Sequence, residues 1–323
     1  MKNILILNAG TRDRLVRDFK ESVDGKAKII ATDSYELAPA IYEADRYYVT
    51  KRWDEAGYWE EVIQICREEQ VGLILSLIDP ELELLARHRE ELKQLGILAN
   101  SAEEKVVHDC FDKYQVLRFL KEKKYPWIKT YIAFDEVKEE MDQGVIKFPL
   151  FVKPRYGSGS AGVEKIYDME RLQSVCSRQE PLIVQEFMEA QELGVDVFVD
   201  LLSGEVISIF AKKKLKMRAG ETDKSVSYKN EKLFQIISKF AKEFGLKGVN
   251  DIDVFEKSGE FYISEVNPRF GGGYLHAYEC GENFPRYLIQ NMNGKKNKSA
   301  IGNYEENIYM MKYFDIRMLR VGE

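Results

Sequence analysis

Over its first hundred residues the chain switches repeatedly between two hydrophobic periods, and this alternation constrains the fold more than any other feature. Ile4 to Leu7 is a continuous apolar run, the pattern of a buried parallel strand. Arg12 to Glu21 then reads as a helix, and Lys28 to Thr32 as a second strand ending in Asp33. Tyr58 to Glu69 is amphipathic, with Trp59, Val62, Ile63 and Cys66 on one face. Val71 to Leu77 is a further strand and Pro80 to Leu95 a further helix. Strand and helix in turn predict a small open α/β domain of the doubly wound kind. Such sheets bind ligands at the carboxyl ends of their strands, here Asn8-Ala9-Gly10-Thr11, Asp33-Ser34 and Ser76-Leu77-Ile78-Asp79. No GxGxxG follows the first strand, which argues against a dinucleotide cofactor. Asp33 and Asp79 read equally well as helix caps or loop acids.

Around Asn100-Ser101 the pattern changes. Val107 to Lys123 is mainly helical, and Tyr125-Pro126-Trp127 breaks it. Strands follow at Ile146 to Pro154, Pro181 to Phe187, Gly194 to Leu202 and Glu205 to Ala211, the last two joined across Ser203-Gly204. Glu231 to Phe244 is an amphipathic helix ending at Gly245. Asn250 to Phe255 and Glu260 to Val266 form a hairpin across Lys257-Ser258-Gly259, and Tyr287 to Asn291 begins a closing helix. Lys296 to Asn303 reads as a surface loop, and the alternation in Tyr304 to Arg320 as a return to the sheet.

Bulk properties exclude several classes. The 323 residues suffice for two or three domains, and 45% hydrophobic with 32% charged residues is a soluble globular balance. A formal net charge of −6 disfavours non-specific nucleic-acid binding. No apolar run approaches the roughly 20 residues of a membrane span, and the polar break after Leu7 makes the N-terminus a strand and not a signal peptide. The four cysteines (Cys66, Cys110, Cys176, Cys280) are far apart, which suggests reduced thiols and a cytoplasmic location. The three histidines form no zinc or hydrolase motif.

The chemistry concentrates in Ser264-Glu265-Val266-Asn267-Pro268-Arg269, followed by Phe270 and three glycines. On a strand Glu265 and Asn267 share a face, offering two oxygen ligands suited to Mg²⁺. Arg269 follows as a cation for phosphate or carboxylate. Asp251-Ile252-Asp253 repeats the i, i+2 spacing on the neighbouring strand, so Asp253 is expected to face Glu265 within about 5 Å. Two acids that close call for a cation. Lys153 ends an apolar strand before the loop Tyr156-Gly157-Ser158-Gly159-Ser160-Ala161-Gly162, whose amides can cradle phosphate, although its spacing is not that of a P-loop. A flexible hairpin tip is the bland alternative. Lys113 near a helix start and Glu192 in a loop are each, alone, ordinary solvated residues. Leu182 to Met188 is a strand leading into an irregular segment, a setting with apolar walls and free backbone groups for an adenine ring. The basic stretch from Lys212 to Arg218, running on to Asp223, reads as a long loop, either a solvated turn or a lid bringing Arg218 and Lys212 toward phosphate.

In this order, Lys113, Lys153 with its glycine loop, Glu186 with Glu192, then Asp253, Glu265 and Asn267 with Pro268-Arg269, the chain resembles the ATP-grasp superfamily. Within it the likeness is nearest to single-domain proteins related to the carbamoyl-phosphate synthase large chain. The resemblance covers roughly residues 105 to 295. It implies an N-terminal α/β domain (1–104) followed by a two-subdomain α+β ATP-grasp fold (105–185 and 186–323). It implies that Lys113 and Lys153 contact ATP phosphates under a loop comprising Gly157, Ser158, Gly159, Ser160 and Gly162. Glu186, Phe187 and Met188 would form the adenine hinge, and Glu192 would hold ribose. Asp253, Glu265 and Asn267 would bind one or two Mg²⁺, with Mn²⁺ an admissible substitute. Arg269, with Lys212 and Arg218, would serve the transferred phosphoryl group. The implied reaction is carboxylate–amine ligation through an acyl phosphate, on small-molecule substrates, with no nucleic-acid or membrane partner and homodimers frequent among relatives. Substrate is expected near Asn8 to Thr11, Asp79, Glu81 and Arg269, with Tyr274 and Asn283 on the far side. The chain is too short for two ATP-grasp halves, so carbamoyl phosphate synthesis is not expected. Phosphoryl transfer without ligation and a non-catalytic nucleotide-binding protein are the alternatives.

Overall fold

The computed structural model describes residues 1–157 and 162–320. Five parallel strands, β1 (Asn3–Leu7), β2 (Ile29–Asp33), β3 (Arg46–Val49), β4 (Val71–Ser76) and β5 (Leu98–Ala99), form a sheet in the order β3-β2-β1-β4-β5. The unbroken apolar runs at Ile4–Leu7 and Leu73–Leu75 are fully buried because helices pack on both faces of this sheet. The β3 and β5 strands have no sequence counterpart in the reading above. β3 is a largely exposed edge strand, and β5 has only two residues, so neither carries a hydrophobic run.

A four-stranded sheet follows, with β6 (Thr130–Tyr131), β7 (Leu150–Pro154), β8 (Glu164–Ile166) and β9 (Leu182–Glu186) in the order β6-β9-β7-β8. Helices Phe134–Asp142 and Met169–Cys176 close over it around a separate core of Val137, Leu150, Val152, Ile166 and Leu172. The third sheet comprises β10 (Gln191–Val199), β11 (Val206–Arg218), β12 (Glu221–Tyr228), β13 (Gly248–Lys257), β14 (Glu260–Asn267) and β15 (Tyr309–Met311), in the order β14-β13-β10-β11-β12-β15. Helix Glu231–Phe244 buries Leu233, Phe234, Ile237, Phe240 and Ala241 against it. The Asn230 side chain caps its start by accepting from Leu233 N at 3.2 Å, and Gly245 ends it at φ 89°. The N-terminal domain docks on this part through Phe19, whose ring meets Phe270 edge-on at 5.8 Å.

Two expectations are corrected. Glu192 lies not in a loop but on β10, paired with Phe255. Lys212 to Arg218 is not a loop but the second half of the thirteen-residue strand β11, which turns at Ala219 and Gly220, both at positive φ, into β12. A strand with lysines on both faces lacks the apolar alternation that marks strands in sequence. The expected return of the last segment to the sheet is limited to β15 at its edge.

Candidate active site

The three sheets meet around a cavity of about 520 Å³. Its floor is one face of the antiparallel sheet. Register places Lys212, Gly194, Asp253 and Glu265 in one row across β11, β10, β13 and β14. The next row on the same face is Phe210, Asp196, Asp251 and Asn267. Asp253 thus stands opposite Glu265, as the i, i+2 spacing on the two strands required. Glu265 and Asn267 both line the cavity, and so does Asp251, which the sequence reading passed over in favour of Asp253. Burial, then the nearby carboxylates of Asp253 and Asp196, push the Asp251 carboxyl up to about 7.

The opposite wall comes from the four-stranded sheet and the helix Lys113–Glu122. Lys153, at the end of β7, is 7% exposed and lines the cavity. Among the described residues no ion pair or hydrogen bond reaches its ammonium. Burial lowers its pKa, opposed chiefly by Glu265. Lys113 begins its helix after Asp112, whose side chain caps Tyr114 N at 3.1 Å and takes both arms of Arg155 at 2.7 and 2.5 Å. That fastening aims the Lys113 ammonium at the carbonyl of Gly157 on the cavity edge. Gly162 sits at φ 71°, while Ser158, Gly159 and Ser160 lie outside the described residues.

The N-terminal sheet closes the third side. Its strand tips supply Arg12 and Asp79. Arg269, with 12% of its side chain exposed, grips Asp79 with two bonds of 2.7 and 3.1 Å and donates to Phe270 O at 3.1 Å. Arg12 reaches Glu221 at 2.7 Å. The three glycines after Phe270 have a steric reason. A Cβ on Gly271 would stand 2.4 Å from the Asp251 carboxyl carbon, and one on Gly272 would stand 2.5 Å from that of Glu221. Backbone therefore lies flat against two acids, a close approach that only glycine permits.

Other expected residues fall elsewhere. Lys212 is 1% exposed, ion-paired to Asp196 in the adjacent row of the floor face, and does not line the cavity. Arg218 pairs with Asp223 and stacks on Phe314 at 4.4 Å, also outside it. Both positions follow from the strand that replaced the loop. Glu186 ends β9, Phe187 and Met188 follow it, and none of the three lines the cavity. The Glu186 carboxylate accepts from Lys129 N at 3.0 Å, Met188 is buried, and Phe187 packs against the cavity-lining Phe151 at 6.5 Å. Glu81 is buried under the tips with Asn8, Tyr58 and Ser76 and does not line the cavity. Tyr274 is a core residue bonded to Glu282 O at 2.9 Å, and Asn283 caps a helix through Arg286 N at 2.8 Å.

Lys214 is the principal residue that the sequence reading missed. Its ammonium donates to Asp253 at 2.6 Å and to Glu192 at 2.7 Å, with 6% of the side chain exposed. Two residues on from Lys212 along a strand, it was findable once β11 is recognised as a strand.

Among the described residues no three His, Cys, Asp or Glu side chains converge into a metal cage. The donor set is instead two facing carboxylates and one amide, open toward two lysines. Mg²⁺ suits such a set, since it is held by one or two carboxylates and completed by phosphate oxygens and water.

Residues 110–273 match the family described as ATP-grasp domain, and residues 4–99 match the PylC-like N-terminal domain. The chain belongs to the ATP-grasp family. It is 27% identical over 227 residues to the carbamoyl phosphate synthase large chain of Clostridium botulinum (strain Eklund 17B / Type B), an alignment covering 65% of this chain and 21% of that protein. The chain thus matches about a fifth of the length of that relative. Its fold is similar to the biotin carboxylase domain of the 2-oxoglutarate carboxylase of Hydrogenobacter thermophilus, with TM-score 0.75, 18% identity and coverage of 95% of this chain and 73% of that one. It is likewise similar to the L-amino acid ligase of Bacillus licheniformis, with TM-score 0.66, 18% identity and coverage of 90% and 74%.

Proposed function

We propose that this protein is an ATP- and Mg²⁺-dependent carboxylate–amine ligase that forms an amide through an acyl phosphate and releases ADP and phosphate. The observation that carries the reading is the polarity of one cavity: Lys153 and Lys113 on one wall, the facing Asp253 and Glu265 with Asn267 on the floor, and two arginines at the far end. The relatives support it, since the biotin carboxylase domain was crystallised with MgADP and bicarbonate and another neighbour is named an L-amino acid ligase.

In this reading residues 1–104 form the substrate-facing domain and 105–185 and 186–323 the two ATP-grasp subdomains. Lys153 and Lys113, with the loop from Gly157 to Gly162, hold the β- and γ-phosphates. Glu192 receives ribose, and Glu186 to Met188 support the adenine end from behind Phe151. Glu265 and Asn267, with Asp253 across from them, hold the divalent ion, for which Mn²⁺ can substitute. Bound Mg²⁺ neutralises charge on the phosphate oxygens. The acid substrate lies toward Arg12 and Arg269, whose guanidiniums neutralise its carboxylate and the passing phosphoryl group. Its oxygen attacks the γ-phosphorus and ADP leaves; the amine then attacks the acyl carbon and phosphate leaves. The walls keep water from the acyl phosphate. The substrates are small molecules. No helix among the described residues is long and apolar enough to cross a membrane, and a cytoplasmic homodimer fits the reading.

A screen of acid–amine pairs for ADP release tests the proposal. ADP and phosphate should form only with a matched pair, and release of AMP sinks the mechanism. Glu265→Gln should abolish Mg²⁺-dependent turnover, and unchanged turnover would count against the metal assignment.

A further inference from the structure

Beyond β15 the chain runs as an extended strap from the sheet edge to the N-terminal domain, with its charges held inward and its apolar side chains outward. Lys312 donates to Glu221 at 2.8 Å, and Asp315 accepts from Ile316 N at 2.8 Å. Arg317 pairs with Glu43 and donates to Tyr42 O at 3.1 Å. The charged groups between Tyr309 and Met318 are thus satisfied within the chain itself. Tyr313, Phe314, Ile316 and Met318 are each more than four-fifths exposed, and Tyr309 and Met311 about two-thirds. A strap that lies in water does the opposite, keeping charge out and apolar surface in. Tyr313 and Phe314 are neighbours in extended chain, so their side chains leave on opposite flanks, and the body beneath cannot cover both.

The backbone is open as well. β15 is outermost in its sheet and pairs on one side only, with β12. Ser227 N donates to Ile308 O at 2.9 Å and Lys312 N to Asp223 O at 3.0 Å, which carries the pairing one residue past each end. Alternate residues of an antiparallel strand bond to the same side. Ile308, Met310 and Lys312 face β12, and Tyr309, Met311 and Tyr313 therefore turn N–H and C=O away from the sheet. The far end of the strap meets a second open edge. Tyr42, which Arg317 touches, packs on Tyr47 of β3 at 4.9 Å, and β3 is outermost in the parallel sheet, with Tyr47 and Val49 about half exposed.

We propose that the β15 edge and the strap are the surface through which two copies of this chain join, β15 pairing antiparallel with the same strand of the second copy about a two-fold axis. The two six-stranded sheets then form one. The inference rests on the homodimer of the reading above, to which it assigns a surface, and is independent of the ATP site. Three properties of the face select a second copy as its occupant. Between Tyr309 and Met318 it shows no charge that is not already held, which gives nucleic acid, an anionic lipid or a charged partner nothing to grip. A strand edge turned about a two-fold axis is complementary to itself in the antiparallel sense. The six apolar side chains expose on the order of 150 Å² each and so about 900 Å² per copy, against the roughly 800 Å² that each partner contributes to a stable complex. The pairing also bears on the cavity. Lys312 holds Glu221, and Phe314 lies against Arg218, at the β11–β12 turn whose Ala219, Gly220 and Glu221 line its end.

The test reads mass and backbone protection and does not depend on turnover. The whole chain is followed by sedimentation velocity at micromolar concentration, with hydrogen exchange read over residues 309–313. The native chain should sediment as a dimer with the amides of Tyr309, Met311 and Tyr313 protected, and dilution to monomer should release that protection. Met311→Pro removes an outward N–H and no bond to β12, so it should give a folded monomer. The double change Ile316→Lys with Met318→Lys, at positions exposed in the single chain, should do the same, which keeps the test available if Met311→Pro disturbs β15. Both variants should still bind the β,γ-imido analogue of ATP, so that loss of the interface and loss of the ATP site are read separately. A monomeric native chain overturns the inference and the homodimer together while leaving the ATP site standing, and flotation of that monomer with phosphatidylcholine vesicles would give the face to a lipid surface instead. A dimer that survives both variants overturns the inference alone, because the copies then join elsewhere.

Discussion

The four-stranded sheet and the six-stranded sheet each place a lysine in the same cavity, and the two sheets treat it in opposite ways. Lys153 ends a short strand that carries no acid, and burial, with Lys113 adding to it, depresses its pKa more than Glu265, Asp253 and Glu192 restore it. Lys214 is as enclosed, but it lies beside Glu192 on the neighbouring strand and Asp253 one strand further on, and their charge raises its pKa well above the ordinary value although burial works against it. A buried ammonium without a partner is costly to the fold and persists where an anion is to be bound. A buried ammonium with two partners organises those partners. On the proposed reading the difference separates a residue kept for a ligand from one kept for its neighbours.

That contrast can be broken at several points. If Lys153 holds phosphate as proposed, Lys153→Met should lower ADP formation by roughly a hundredfold or more. The same change should leave the unfolding free energy unchanged or raise it by about 1 kcal/mol, because it removes a buried charge that has no ion pair among the described residues. A large loss of stability on chemical denaturation would erase the distinction. Glu81 represents a third way to bury charge, since with no cation beside it burial pushes its carboxyl from 4.5 up to about 8. The folded chain keeps this proton up to that pH, whereas the unfolded chain releases it near the ordinary value. Its contribution is therefore complete below about pH 4.5 and is lost as the pH rises through about 8, a fall on the order of 3 kcal/mol. Denaturation curves across this range should show the fall, and Glu81→Gln should flatten it.

Lys214→Met should do the reverse of Lys153→Met and destabilise the fold by about 2 kcal/mol, less than for a wholly buried pair because Glu192 and Asp253 are partly exposed. Gly194→Ala narrows the lane used by that lysine and should cost about 1 kcal/mol in thermal unfolding. The smallest effect is expected for Arg218→Ala. Its ion pair lies outside the cavity on a side chain 40% exposed, so stability should drop by under about 1 kcal/mol and ADP release should not change.

What could be read in advance followed the periodicity of each region. The buried strands Ile4–Leu7 and Val71–Leu77 announce themselves because both faces are apolar, and the Asp253 and Glu265 pairing follows from side-chain alternation plus a short turn. The edge strand Arg46–Val49 escapes because one edge and much of its surface face water. The second half of β11 escapes because its buried face ends in lysines, so its identity depends on acids contributed by other strands. For the same reason Lys212 and Arg218 looked available for chemistry, whereas their partners Asp196 and Asp223 occupy them. Arg12 was legible only as the residue beyond a strand tip, since its place beside Glu221 requires two domains to be assembled.

The clasp between Arg269 and Asp79 joins residues 190 positions apart and spans the boundary between the parallel domain and the floor. Asp79 starts the helix that follows β4, and Arg269 lies two residues beyond the last floor strand. A tilt of the first domain therefore pulls directly on the end of β14, where the oxygen donors sit. On the proposed reading, the part that meets the substrate and the part that keeps phosphate geometry are geared together at this guanidinium, so retailoring the first domain for a different acid has to preserve the position of Asp79.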